Sequence, residues 1–160
     1  MNASSFLPRL ARLGLKLTGA LAFLAPLATR LVLGLEFFQT GSGKWQHFDN
    51  TVAFFTQLGI PFPAANAALV SSLELVGGIC LILGLLTRLM AAGLSSTMVV
   101  ALLTADRQDF LTALSGAGEL SLTDVVPVVF LLFLLWLILL GPGPVSLDRW
   151  IAKWLDRRTN

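Results

Sequence analysis

The chain has 160 residues, which is the usual size of one domain. Hydrophobic residues and the 14 glycines make up about 65% of it, compared with about 45 to 50% in soluble domains. Charged residues are only 12% and the net charge is +2. A soluble domain of this size cannot bury so much apolar surface, so these values predict an integral membrane protein. They exclude a soluble enzyme, a nucleic-acid-binding protein and a disulfide-stapled secreted domain.

Four apolar segments have the length and composition of membrane-spanning helices. In chain order they cover about residues 17–38, 65–86, 89–105 and 125–140. The first is the least apolar, because Arg30 and Glu36 interrupt it. The pattern predicts an all-α fold, an integral membrane four-helix bundle formed by a single domain, 1–160.

Two further segments predict short amphipathic helices at the membrane surface. After the first span, Trp45, Phe48, Val52 and Phe55 recur at helical spacing. After the fourth span, residues 145–157 place apolar residues on one face and basic residues on the other. The apolar face comprises Leu147, Trp150, Ile151, Trp154 and Leu155, opposite Arg149, Lys153 and Arg157. Tryptophans and basic residues in this arrangement are typical of a helix held to anionic lipid.

The basic residues near the span ends divide eight to two between the two sides. One side has Arg9, Arg12, Lys16, Arg88, Arg149, Lys153, Arg157 and Arg158; the other has Lys44 and Arg107. The positive-inside rule therefore predicts that both termini face the cytoplasm. A cleaved signal peptide is disfavoured, because only three residues separate Lys16 from the Ala20-Leu21-Ala22 sequence and leave no apolar region between them.

Charged residues inside the spans are the candidates for a ligand-binding site. A charge at mid-span costs about 2.5 to 3.5 kcal/mol, so it normally faces protein or water and is paired. The span positions predict similar depths for Arg30 and Glu74, which makes each the expected partner of the other. Glu36 and Lys44, with His47 at the outer boundary, are expected to line a polar funnel above that pair. Two interpretations stay open: a functional polar site, or a helix lock with Glu36 and Lys44 reaching the interface.

Small residues and potential ligands around this region have simpler interpretations. Gly77 and Gly78 lie on the same helical stripe as Glu74, which predicts a close helix contact. His47 belongs to no cluster with metal-ligand spacing, so no metal site is expected. The chain has one cysteine, Cys80, so it forms neither an internal disulfide nor a Cys-x-x-Cys pair.

Several sequence segments together resemble the DoxX family of small four-span membrane proteins. They are Arg30-Leu-Val-Leu-Gly-Leu-Glu-Phe-Phe, Gly43-Lys44, Leu58-Gly59-Ile60-Pro61, Glu74-Leu-Val-Gly77-Gly78, Gly84-Leu-Leu-Thr87-Arg88 and Gly141-Pro142-Gly143-Pro144-Val-Ser146-Leu-Asp148. The resemblance covers about residues 28–150. Glu36-Phe37-Phe38 followed by Gly43-Lys44 is similar to a subgroup that accompanies small metal-binding peptide systems. By this resemblance Arg30, Lys44, Glu74 and Arg88 occupy the family's polar positions.

The resemblance implies a multi-pass protein of the bacterial inner membrane that is associated with redox processes. DoxD-type relatives are subunits of quinone-linked sulfur oxidation, and the related MauE proteins assist assembly of a disulfide-rich dehydrogenase. The expected function is therefore a membrane subunit of a redox process that binds a quinone or another small ligand beside Arg30 and Glu74. Its expected partners are the lipid bilayer and a protein of a redox or peptide-maturation system. No nucleic-acid partner is expected. The alternative is a non-enzymatic assembly factor or a small-solute permeation protein.

Overall fold

The computed structural model describes residues 19, 21–116 and 118–159. This part of the chain is all-helical, with seven helices. They are α1 (Leu24–Gln46), α2 (Phe48–Gln57), α3 (Pro63–Leu83), α4 (Thr87–Leu103), α5 (Arg107–Ser115), α6 (Val126–Leu140) and α7 (Leu147–Thr159). The predicted basic residues Arg9, Arg12 and Lys16, and the beginning of the first predicted span, lie outside the described residues.

Four helices form the bundle, and each packs against two others. The pairs are α1 with α3, α3 with α4, α4 with α6, and α6 with α1. Their shared core consists of Leu33, Phe37, Leu81, Ala91, Leu94, Leu134 and Leu137. The bundle has two ends, which we name by their charged residues: the Arg30 end, where α1 and α4 begin, and the Lys44 end, where α3 and α6 begin.

Glycines set the contact between α1 and α3. A Cβ atom on Gly41 would lie 2.9 Å from the Ser71 carbonyl oxygen, and one on Gly78 would lie 2.5 Å from the Phe38 amide nitrogen. Only residues without a side chain allow the two backbones to approach this closely. The first span was predicted to end near residue 38, whereas α1 continues to Gln46. Residues 39–46 are mostly polar and contain two glycines, so helix propensity disfavours a helix there; close packing against α3 stabilises it.

Turns between the helices follow from glycine and proline. Pro63 stands in the first turn of α3, where its missing N–H group is not needed. At the other end of α3, Gly84 has a φ of 68°, the left-handed conformation that ends many helices. Pro127 likewise stands in the first turn of α6, and Gly141 follows the last residue of that helix with a φ of 81°.

The fold class is confirmed: the described chain is all-α, and apolar side chains cover the outside of the bundle as well as its core. By length and composition, α3 is the one described helix able to cross a bilayer alone. Helices α4 and α5 qualify only together and are bent by 79°, while α6 is apolar but has 15 residues. The division into four spans stays a prediction. Helix α7 leaves its apolar face exposed, as expected of a helix at a membrane surface.

Candidate functional site

An ion pair between Lys44 and Glu74 lies inside the Lys44 end of the bundle. The Lys44 Nζ atom donates to both carboxylate oxygens, at 2.5 Å to Oε1 and 2.6 Å to Oε2. The Glu74 side chain is 3% exposed, whereas that of Lys44 is 31% exposed. The carboxylate is therefore enclosed, and the ammonium group has one side open to the space around it.

Two cavities flank this ion pair. The larger, about 440 Å³, lies between α2, α3 and α4. The smaller, about 250 Å³, lies between α1, α4 and α6. Both are lined by Lys44, Glu74, Met98, Ala101 and Asp106. Most of the remaining lining is apolar, including Phe54, Phe55, Leu69, Val100, Phe37 and Phe130. The arrangement is an apolar chamber with one buried ion pair in it.

Asp106 is the functional candidate that sequence reasoning missed. It follows α4, outside the predicted spans, in the bend between α4 and α5. Burial, together with the negative charge of Asp109, raises the pKa of this carboxyl. In the sequence, Asp106 is one of several acidic residues on the predicted outer side, and its position directly after an apolar run was the only signal that it could turn inward.

The predicted pairing of Arg30 with Glu74 is wrong. The Arg30 guanidinium is buried and donates through Nη1 to the Pro142 carbonyl oxygen at 2.7 Å and through Nη2 to that of Val145 at 2.8 Å. It packs against Gly84, ten residues along α3 from Glu74, which is about 15 Å of helix. Arg30 lies at one end of the bundle, and because α1 continues to Gln46, the side chain of Lys44 rather than that of Arg30 reaches Glu74.

Glu36 and His47 also lie outside the chamber. Both side chains are exposed, and Glu36 has no ion-pair partner within the described part of the chain. Neither residue lines the two cavities. The expected cavity lined by Arg30, Glu36, Lys44 and Glu74 is therefore replaced by one that contains Lys44 and Glu74 with Asp106. No group of metal-ligating side chains occurs among the described residues.

The Arg30 end joins three of the segments that carry the family resemblance. The Asp148 carboxylate accepts hydrogen bonds from the backbone N–H groups of Leu86, at 2.7 Å, and Thr87, at 3.0 Å, and so caps the beginning of α4. The Asp148 N–H group donates to the Gly84 carbonyl oxygen at 3.0 Å. The exposed Arg88 side chain lies beside the end of α6 and donates to Leu139. These contacts bind the segment after α6 to the turn between α3 and α4.

The glycines beside Glu74 lie in helix contacts. A Cβ atom on Gly77 would lie 3.1 Å from the Leu94 side chain of α4, and Gly78 lies against the backbone of α1. Glu74, Gly77, Gly78 and Leu81 are all buried on the same stripe of α3. The stripe brings α1 and α4 close to α3, and the cavities lie beyond it toward the Lys44 end.

The DoxX family model matches residues 25–107, which include the ion pair, the α1–α3 contact and Asp106. An "Uncharacterized membrane protein Rv3486" of Mycobacterium tuberculosis is 35% identical over 136 residues, 78% of this chain and 79% of that protein. The "Inner membrane protein YphA" of Escherichia coli is 29% identical over 124 residues, 77% of this chain and 87% of that protein. The "Putative oxidoreductase CatD" of Bacillus subtilis is 32% identical over 78 residues, 49% of this chain and 57% of that protein.

No solved protein structure matches the chain. The family match and the similarity over most of the mycobacterial relative agree with the residues that carry the resemblance in the sequence. The chain therefore belongs to the DoxX family of membrane proteins.

Proposed function

We propose that this protein is a membrane subunit of a redox process that binds a quinone in the chamber around Lys44 and Glu74. The observation that carries the proposal is the apolar chamber with a single buried ion pair in it. A site of this kind suits a molecule with a flat apolar ring and a few hydrogen-bond acceptors. The residues proposed to bind are Lys44 and Glu74; Arg30 and Glu36 have no part in it.

The size and position of the larger cavity support a lipophilic ligand. Its 440 Å³ lies within the 300 to 1,000 Å³ of ordinary small-molecule sites. Its lining includes Leu69 and Val100, whose side chains are 61% and 46% exposed on the outside of α3 and α4. Because these residues face the lipid in the predicted arrangement, a ligand dissolved in the bilayer can enter between the two helices.

The hydrogen-bonding capacity of Lys44 supports a carbonyl ligand. An ammonium group has three N–H donors, and Glu74 accepts two of them. The third is left for a ligand such as a quinone carbonyl. Glu74 holds the Lys44 ammonium group in place. Ligand binding therefore does not have to order the lysine side chain, which lowers the entropic cost of binding.

The electrons for quinone chemistry come, in this proposal, from a partner protein. The lone Cys80 and the lone His47 provide neither a dithiol nor a pair of histidine haem ligands within the chain. The word oxidoreductase in the name of the Bacillus subtilis relative supports a redox association. We place the protein in a bacterial inner membrane with both termini in the cytoplasm, on the basis of the basic residues and the name of the Escherichia coli relative.

The proposal is tested by quinone binding to the full chain in lipid nanodiscs. Ubiquinone-1, a short-chain probe, should bind to the wild type with saturation. Replacing both members of the pair, Lys44→Met with Glu74→Met, removes the polar contact without leaving a buried charge unpaired. It should weaken ubiquinone-1 binding at least about tenfold, which corresponds to the loss of one hydrogen bond to a charged group.

Glu36→Gln is the matched control, because it removes a carboxylate from α1 outside the chamber. It should bind ubiquinone-1 as the wild type does. A wild type that binds no quinone contradicts the proposal and favours an assembly factor or a permeation protein. Equal binding by the wild type and the double variant would place any quinone site elsewhere.

A further inference from the structure

We propose that Asp106 is the group through which the chamber exchanges protons with the water at the Lys44 end of the bundle. Its carboxyl would donate a proton to the bound oxidised substrate and accept one from the reduced form. The inference relies on the proposed function for the identity of that substrate, and on the geometry of the cavities for the role of Asp106.

The position of Asp106 suits this role. It lines both cavities together with Lys44 and Glu74, so it faces the chamber on each side of the ion pair. Its side chain is partly buried, while residues 107–109 directly after it are exposed. A carboxyl at this place has contact with the chamber on one side and with the surface on the other.

Burial, and after it the negative charge of Asp109, favour the protonated form of Asp106. On its own segment, Asp109 carries a negative charge and Arg107 a positive one; in the chamber, Lys44 is already neutralised by Glu74. The lining from α2 and α6 contributes no charged group. Burial and Asp109 raise the pKa of Asp106, so it takes up a proton at a higher pH than an exposed aspartate does.

The protonation state decides which form of the substrate Asp106 can contact. A protonated carboxyl can donate a hydrogen bond to a quinone carbonyl. An ionised carboxylate can only accept a hydrogen bond, and it can accept one from a quinol hydroxyl. Reduction of a quinone consumes two electrons and two protons. The electrons come from the partner redox protein; for each proton the Asp106 O–H bond breaks as a quinol O–H bond forms, and Asp106 is protonated again from water.

The first test measures ubiquinone-1 affinity against pH for the full chain in nanodiscs. Affinity of the wild type should rise about tenfold as the pH falls through the pKa of Asp106. Asp106→Asn should abolish this pH dependence, because its amide is a donor at every pH. Asp109→Asn, the same change three residues away, should keep the profile and move it to lower pH, since a neighbouring negative charge is removed. Identical profiles in the wild type and Asp106→Asn would overturn the inference.

The second test needs no quinone. The infrared band of the Asp106 carboxyl is identified by its loss in Asp106→Asn. The intensity of this band is then measured as a function of pH in the ligand-free chain. Glu74→Gln leaves the positive charge of Lys44 unpaired, which should lower the midpoint by about one pH unit, and Lys44→Gln should raise it. Glu36→Gln should change nothing.

The two proposals fail in different ways. Unchanged Asp106 midpoints in both Glu74→Gln and Lys44→Gln overturn the role of Asp106, whether or not quinone binds. A wild type that binds no ubiquinone-1 at any pH overturns the proposed function, and the infrared titration then still decides whether Asp106 is coupled to the chamber.

Discussion

Lys44 reaches Glu74 because of the direction in which helical side chains point. In the antiparallel packing of α1 and α3, Gly34 lies between Gly78 and Ile82 and Gly41 lies between Ser71 and Leu75. Lys44 is therefore level with about residue 70 of α3, about one turn before Glu74. Helical side chains lean toward the N-terminus of their own helix, which here is toward the Arg30 end. The long lysine side chain therefore covers the remaining turn of about 6 Å and brings its ammonium group to the carboxylate.

The energetic coupling of this pair is a testable consequence at the residue scale. Lys44→Met should cost about 3 to 5 kcal/mol of unfolding free energy, because it leaves a buried carboxylate unpaired. Glu74→Met should cost less, since the Lys44 side chain left behind is ten times more exposed, at 31% against 3%. The double variant should recover most of the loss. The measurement is denaturant unfolding in micelles for all four proteins.

The matched control for this cycle is Glu36→Met, the same replacement at an exposed position of α1. It should change the unfolding free energy by no more than about 0.5 kcal/mol. Strictly additive losses from Lys44→Met and Glu74→Met would show that the two residues do not interact in the membrane-embedded protein.

At the scale of elements, the contact between α1 and α3 determines the register of the bundle. Gly34, Gly41 and Gly78 bring the two backbones together over about two turns of α1. This register places Lys44 beside Glu74 at one end and Arg30 beside Gly84 at the other. A helix that ended near residue 38 would leave Lys44 in a loop.

Two glycines of α1 provide a direct test of this contact. Gly41→Ala should destabilise the protein by about 1 to 3 kcal/mol, because the new Cβ atom would overlap the backbone of α3 at Ser71 and Leu75. Gly43→Ala, two residues along the same helix, meets no atom within 4 Å and should be neutral or stabilise by up to about 1 kcal/mol. Thermal unfolding of the two variants in the same detergent compares them. Equal effects would mean that α1 and α3 are not closely packed at Gly41.

At the scale of the whole molecule, polar groups are concentrated at the two ends of an apolar bundle. The Arg30 end is held together by hydrogen bonds from Arg30 to the segment after α6 and from the α4 N-terminus to Asp148, and an open cavity of about 550 Å³ lies there beside Arg30. The Lys44 end contains the two cavities and Asp106. The hydrogen bonds of the Arg30 end join helices, and the Lys44 end is the proposed binding site.

Orientation in the membrane follows as a prediction for the molecule as a whole. Reporter fusions after Leu15 and after Asn160 should report the cytoplasm, while an insertion near Ser115 should report the opposite side, because eight of the ten basic residues near the span ends lie on the side of the termini. Alkaline phosphatase and green fluorescent protein fusions measure this. A C-terminus on the outer side would contradict the even number of spans.

Composition and apolar runs alone determined the membrane class, the all-α fold and the approximate positions of α3, α4 and α6, because burial in lipid requires continuous apolar sequence. The position of α7 followed from its amphipathic spacing. Family membership followed from short segments of sequence, and the comparisons confirm it. The partners of Arg30 and Glu74 did not follow. These partners depend on the residue at which α1 ends and on the register of α1 against α3. The glycine contacts between the two helices decide the end and the register, and the helix propensity of the segments does not. The inward position of Asp106 did not follow either, because it depends on the 79° bend between α4 and α5, which apolar runs do not predict.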